Sequence, residues 1–226
     1  METLLLLHGA IGASDQLQAL EAELKNQYNV HAINFSGHGK NTSYASGFSI
    51  GLFAKDVLRF CDEKNLQKIS IFGYSMGGYV AMYLAKHHPE RINKLVTFAT
   101  KYHWNEEIAA REVKMLDPEK IQQKVPAFAE ALQQRHTSDW KDVLYKSAAM
   151  MLDMGMDNVL KTEDYPGISI PVLLMLGDRD KMVTLDETLT VYKALPNAQL
   201  AVLPNTPHPI EQVDHTMLSA CIKRYI

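Results

Sequence analysis

What this chain has little of narrows its reading first. Cysteine occurs twice in 226 residues, at Cys61 and Cys221. Each falls on the apolar side of a helical pattern, so two buried free thiols are expected and a disulfide scaffold is not. No apolar run approaches the ~20 residues that a membrane-spanning helix needs. The opening Met1-Glu2-Thr3, followed by Leu4 to Leu7, has no positive lead-in and too short an apolar core for a secretory signal. The expected setting is the cytoplasm, with no membrane partner. Basic clusters are also lacking, and the formal net charge is -3. Nucleic-acid binders need grouped Lys and Arg to displace counterions, so no nucleic-acid partner is expected. Metal ligands would have to cluster, and neither cysteine lies near such a group in sequence, so no metal and no organic cofactor are expected.

Repeats and low-complexity linkers are absent too, which leaves one domain over residues 1–226. Its composition, 46% hydrophobic and 22% charged, is that of an ordinary globular chain. Short apolar runs alternate with amphipathic stretches. The strand candidates are Thr3–Leu7, Val30–Phe35, Lys68–Phe72, Lys94–Ala99, Val172–Leu176 and Gln199–Leu203. Helical spacing fits Asp15–Asn26, Ile50–Lys64, Met76–His88, a helix capped by Thr184 with Glu187 and running to Leu195, and a last helix with Ile210, Val213, Met217 and Cys221 on one face. His215 is expected in solvent, one to two turns into that helix. The alternation predicts an α/β fold, a three-layer α/β/α sandwich around a mostly or wholly parallel sheet of about six strands. From Lys101 to Pro166 no strand pattern appears, and Asp117-Pro118 and Ser138-Asp139 look like helix starts. This methionine-rich stretch, 101–166, is expected to be a helical cap over the sheet.

The chemistry-bearing residues fall at strand ends. Ile69–Phe72 runs into Gly73-Tyr74-Ser75-Met76-Gly77, and a helix pattern follows. A sharp turn in that setting exposes the Ser75 hydroxyl at the sheet edge, while glycines let strand and helix approach. A chance match to this five-residue pattern is the competing reading, but the flanking strand and helix argue against it. An acyl-transfer site also needs two N–H donors aimed at the oxyanion. Met76 N–H supplies one, and Ala10 N–H, after Leu4–Leu7 and His8-Gly9, is the candidate for the other. His8 is expected to brace its loop.

Val172–Leu176 ends in Gly177-Asp178-Arg179-Asp180, a loop where open α/β sheets bind ligands. Asp180 is chosen over Asp178 as the acid, because Asp178 directly follows Gly177 and is better placed to brace the turn. After Gln199–Leu203, His208 stands between Pro207 and Pro209 on a stiff loop, as a general base requires. It completes the chain order Ser…Asp…His.

On these residues the sequence resembles the α/β-hydrolase superfamily over nearly its whole length. Two further stretches carry the likeness: Phe35-Ser36-Gly37-His38-Gly39-Lys40-Asn41, similar to the family's G-H-G turn, and Gly177-Asp178-Arg179-Asp180-Lys181-Met182-Val183, similar to its G-D-x-D-x-x-V acid loop. The resemblance supports Asp180 and implies a structural role for His38. Asn34 and Asn41 depart from the Asp and Ser often found there. A second departure is that the family usually has an antiparallel strand pair before the strand that ends in His-Gly, whereas this sequence starts at that strand. Six parallel strands are expected here in place of eight, with an oligomer or a covering helix protecting the edge.

The first function hypothesis is a serine hydrolase acting through an acyl-enzyme on a carboxylic ester or thioester of a small-to-medium apolar acyl group. Phe128, Trp140, Leu144 and Met151 of the cap are the candidate substrate contacts, on an apolar inner face that also has Met150 and Met154. The superfamily also contains C–C bond hydrolases, lyases, acyltransferases and perhydrolases with the same triad, and fold alone does not choose among them. A non-catalytic binding protein is the third reading. It is weakened because no triad member is missing.

Overall fold

A computed structural model describes residues 1–43 and 46–226. Six strands form its sheet: β1 Thr3–Leu7, β2 Asn29–Ile33, β3 Ile69–Tyr74, β4 Ile92–Phe98, β5 Val172–Gly177 and β6 Ala198–Leu203. They lie in the order β2-β1-β3-β4-β5-β6, and every adjacent pair is parallel. Parallel neighbours need crossovers, and helices supply them. The chain steps outward from β1 to β2, then back across β1 to β3. Strand order reverses there, and crevices at the carboxyl ends of such strands are where α/β sheets hold ligands.

The run Leu4 to Leu7 explains why the sheet is covered twice. Alternate side chains of a strand point to opposite faces. Leu5 and Leu7 join one apolar cluster and Leu4 and Leu6 the other, all fully buried. Each is worth about 1.5–3 kcal/mol in burial. Against the first face lie α2 (Ile50–Glu63) and α3 (Met76–His87), through Phe53, Val57, Val80 and Leu84. Against the second lie α1 (Gln18–Leu24) and, at the end of the chain, a helix over His215–Tyr225, through Leu20, Leu24, Leu218 and Ile222.

Between β4 and β5 the chain forms four helices: α4 Glu106–Glu112, α5 Pro118–Lys124, α6 Pro126–Arg135 and α7 Trp140–Met156. Asp117 caps α5 by accepting from Lys120 N at 3.0 Å, and Asp139 caps α7 by accepting from Lys141 N at 2.9 Å. The last three share a small core of their own, with Leu116, Ile121, Leu132, Trp140 and Leu144. Next in order are α8, Leu185–Ala194, and α9, His215–Tyr225.

Several expectations need correction. β2 stops at Ile33, because Phe35 turns inward to stack on Phe53 at 4.8 Å and Ser36 N–H is tied to Asp56 at 2.7 Å. The last helix is broken. Ile210–Gln212 is a 3-10 turn, and α9 starts after Asp214, whose carboxylate accepts from Met217 N at 3.0 Å. His215 therefore opens α9, and its Nδ1 is buried, not solvated. Thr184 caps α8 by accepting from Glu187 N, but the Glu187 carboxylate does not return the bond. It accepts from Tyr102 N and His103 N, at 2.7 and 2.8 Å, in the loop after β4. Cys61 is buried and Cys221 half-buried, both as free thiols.

Three histidines meet where α6 ends. His8 and His38 have ring centroids 5.2 Å apart, and His38 and His136 are 5.9 Å apart. Phe35 N–H donates to His8 Nε2 at 3.2 Å, so His8 Nδ1 carries the proton and donates to Gly9 O at 2.8 Å. A second ring proton would face the Phe35 N–H. Burial lowers the His8 pKa from 6.5 to about 4, and burial also lowers those of His38 and His136. With the folded value below the unfolded one, the unfolded chain binds more protons in between. The stability held by neutral His8 is complete above about pH 6.5 and is lost as pH falls toward 4. Urea midpoints should therefore already fall between pH 7 and pH 5.5, before most carboxylates titrate. The His8 contribution lost by pH 4 is on the order of 3 kcal/mol. A flat stability between pH 7 and pH 5.5 would contradict this.

Candidate active site

Ser75 lies between β3 and α3 with φ 51° and ψ -116°, outside the regions that ordinary residues occupy. Such strain persists only where the surroundings over-determine it. Here Ser75 N–H donates to Phe98 O of β4 at 2.8 Å, and Ser75 O accepts from Gly78 N at 3.0 Å and Thr100 Oγ1 at 3.2 Å. A Cβ on Gly73 would sit 2.5 Å from the Gly77 backbone, and one on Gly77 would sit 2.4 Å from Leu7 O. The start of α3 is thus in backbone contact with the end of β1. Met76 is the first residue of α3, so its N–H is one of the donors that a helix leaves free at its start.

On the far side of the crevice, His208 Nδ1 and Asp180 Oδ2 are 2.7 Å apart, with the Asp180 side chain fully buried and that of His208 12% exposed. The other Asp180 oxygen accepts from Met182 N at 2.8 Å and Val183 N at 2.9 Å. Both carboxylate oxygens are therefore committed, which fixes the acid and leaves Nδ1 of His208 as the donor. Asp178 faces elsewhere. Its Oδ1 accepts from Thr206 N at 3.1 Å, while Arg179 N–H donates to Thr206 O at 3.1 Å. Asp178 thus fastens the loop that carries His208. Tyr74 packs beside His208 with ring centroids 5.6 Å apart, and burial raises its phenol pKa, keeping it neutral.

A cavity of about 280 Å³ opens between these groups and the helices above. Ala10, Ser75, Met76 and His208 all border it. Ala10 lies within a tight turn closed by Gly12 N–H donating to Gly9 O at 3.2 Å. Of the expected cap contacts, Phe128 and Met151 line the cavity. Trp140 and Leu144 do not, and this is a correction. They are buried in the separate apolar cluster that α5, α6 and α7 form. The stripe Trp140, Leu144, Ala148, Met151 lies along one face of α7, but at 1.5 Å per residue Trp140 is ~16 Å from Met151 along the axis. The far half of the stripe packs on α5 and α6, and only the near end reaches the cavity. Met150 and Met154, expected on the apolar inner face, border the same space, as do Lys101 and Arg135, which sequence reasoning missed. The two cations carry no motif that could have revealed them. Among the described residues, no three His, Cys, Asp or Glu side chains gather as metal ligands would.

The family model for the alpha/beta hydrolase fold matches residues 2–139. The chain belongs to the α/β-hydrolase fold family. It is a hydrolase-type enzyme, and the members it resembles vary in their reactions. A Synechocystis protein named, provisionally, as a non-heme chloroperoxidase is 26% identical over 92% of this chain and 85% of its own length. Among solved structures, a thermophilic esterase from Thermogutta terrifontis is 23% identical, with TM-score 0.78 over 100% of this chain and 89% of that one. The 2-hydroxy-6-oxo-6-phenylhexa-2,4-dienoate hydrolase of Rhodococcus sp. strain RHA1 is 22% identical, with TM-score 0.80 over 99% and 90%. At those identities the two structures speak for the fold of this α/β-hydrolase. The same residue range carries its G-x-S-x-G elbow and its His8-Gly9 turn. Among the described residues, no helix is long and apolar enough to cross a membrane.

The backbone contact at Gly77 gives a direct test of the elbow. In Gly77→Ala the added methyl meets Leu7 O and His8 O, which are backbone atoms and cannot swing away. A loss of at least the ~1–3 kcal/mol typical of overpacking is expected in urea unfolding. A wild-type midpoint would mean the strand and helix are not this close.

Proposed function

We propose that this enzyme hydrolyses a carboxylic ester or thioester of a small-to-medium apolar acyl group, with Ser75 as nucleophile, His208 as base and Asp180 as the acid that orients it. The observation that carries the reading is the 2.7 Å Asp180–His208 pair opening on the cavity that the strained Ser75 borders. With Nδ1 donating to Asp180, His208 Nε2 is unprotonated and free to accept the Ser75 proton as Oγ attacks the carbonyl carbon. The carbonyl oxygen becomes an oxyanion facing the N–H groups of Ala10 and Met76. Protonated His208 returns its proton to the leaving alkoxide or thiolate, and the acyl group stays on Ser75. Water, deprotonated by His208, then releases the acid and restores the serine.

The helices over 101–166 act as a cap in this reading. Met150, Met151, Met154 and Phe128 give the cavity an apolar wall, and its volume lies at the small end of ligand sites. One observation favours a second reading, a C–C bond hydrolase of a carboxylated substrate: Lys101 and Arg135 border the cavity. Both cations already have partners. Arg135 pairs with Asp15 at 3.0 Å and Glu211 at 3.5 Å, and Lys101 with Glu112 at 3.9 Å and Glu187 at 3.7 Å. The apolar acyl reading is therefore preferred.

Ser75→Ala should keep its fold and lose on the order of 10⁶ in kcat on an aryl ester. Substantial turnover by a pure Ser75→Ala preparation would overturn the assignment. Asp180→Asn should retain stability within a few degrees yet lose about 10⁴ in kcat, because an amide favours the wrong histidine tautomer. Asp178→Asn should do the reverse, lowering Tm and sparing turnover. Kinetics and melting curves on both variants decide between the two acids. For the pocket, Met151→Ala should shift the kcat/KM optimum toward longer acyl chains in a series of about two to eight carbons, since truncation enlarges the cavity. An unchanged optimum would remove Met151 from the substrate wall.

A further inference from the structure

The turn that holds Ala10 contains a residue in an unfavourable conformation. Ile11 has φ 53°, in the left-handed region where a β-branched side chain is a genuine outlier. The turn Gly9–Gly12 places it third, the position that usually calls for Gly or Asn. Its side chain explains why isoleucine stands there. Ile11 packs both against the core cluster of the sheet and against the separate cluster of the cap, so it fills the seam between them. A strained turn with its side chain in a seam depends on what holds its backbone from outside.

That hold comes from the cap. His136, at the end of α6, is buried. Gly39 N–H donates to its Nδ1 at 2.9 Å, so the ring proton is on Nε2, which donates to Ile11 O at 3.0 Å. Burial keeps the His136 pKa below its ordinary value, and the neutral ring has the one acceptor and one donor that these bonds require. Its neighbours make parallel attachments. Arg135 pairs with Asp15 at 3.0 Å, Thr137 N–H donates to Gly39 O at 2.8 Å, and Ser138 Oγ donates to Gly37 O at 3.0 Å. Of these residues, His136 is the one bonded to the turn itself.

We propose that His136 is a positioning residue through which the cap sets the oxyanion donor: its bond to Ile11 O holds the strained Gly9–Gly12 turn so that Ala10 N–H faces the reacting carbonyl. The inference rests on the assignment of Ala10 above. It makes the cap part of the catalytic geometry as well as of the substrate wall. Displacing the cap would release the turn and weaken the stabilisation of the transition state while leaving ground-state binding nearly intact.

Two variants separate the two bonds of the ring. In His136→Gln the amide nitrogen extends as far as Nε2 and can still reach Ile11 O. In His136→Asn the shorter amide can serve Gly39 N–H but falls short of Ile11. Three readouts apply: the second-order rate of Ser75 labelling by a fluorophosphonate, kcat and KM for p-nitrophenyl butyrate, and the Ki of a trifluoromethyl ketone that forms a hemiketal on Ser75. His136→Asn should lose about 10- to 100-fold in labelling rate, kcat and ketone affinity alike, less than the 10²–10³ for deleting a donor outright. Its KM should stay within about twofold, and His136→Gln should recover most of the loss. Labelling is read whether or not the butyrate ester is turned over. Wild-type labelling and ketone affinity in His136→Asn would overturn the proposal, as would a loss confined to KM or equal losses in both variants. If Ser75→Ala is still labelled and active, the site assignment itself fails. If Ser75→Ala is silent and His136→Asn is normal, only the role of His136 fails.

Discussion

Everything at this site depends on how closely the start of α3 approaches the end of β1. Gly77 faces Leu7 O and His8 O so tightly that a single methyl group would not fit, while Gly73 and Gly78 allow an equally close packing of α3 on the end of β3 and on Thr100. The approach puts the free N–H groups at the start of α3 beside the His8-Gly9 turn. It also forces the chain between β3 and α3 through the unusual backbone angles of Ser75. The elbow and the His8-Gly9 end of β1 are therefore one packed object, to which His136 fastens the rest of the turn at Ile11 O.

The loops around that object are fastened in one recurring way, by buried or partly buried carboxylates that accept from backbone N–H groups. Asp56 takes Ser36 N, Glu187 takes Tyr102 N and His103 N, Asp178 takes Thr206 N, and Asp180 takes Met182 N and Val183 N. Bonds to an ionised acceptor are about twice as strong as neutral ones. They suit loops, which have no ladder of their own to satisfy their N–H groups. Asp180 uses one oxygen for its loop and the other for His208, so the same carboxylate holds both the strand-end loop and the imidazole.

The parts legible in the sequence were those where local pattern and tertiary role coincide. The strand-turn-helix around Ser75, the six parallel strands and the loop with Asp178 and Asp180 all repeat a short-range signal that packing reinforces. The errors arise where packing decides. Trp140 and Leu144 share a helical stripe with Met151, and periodicity cannot say which end of α7 meets the cavity. Glu187 has capping-box spacing, yet a loop distant in sequence competes for its carboxylate. Asp214 shows an N-cap in hindsight, but the apolar spacing of Ile210 and Val213 hid the break before α9. His136 lies in no motif. Its meaning comes from Gly39 and Ile11, which the fold alone brings to it.

The sulfur in the cavity wall has a chemical consequence of its own. Met115, Met150, Met151, Met154 and Met182 border the space above Ser75, and Met115 is 52% exposed at its rim. A thioether is apolar and adaptable, but peroxide converts it to a polar, chiral sulfoxide. Oxidation would place strong hydrogen-bond acceptors in the cavity wall while leaving Ser75, His208 and Asp180 chemically unchanged. Such damage would sit in the cavity wall and not in the polar groups below it, and reduction of the sulfoxides would reverse it.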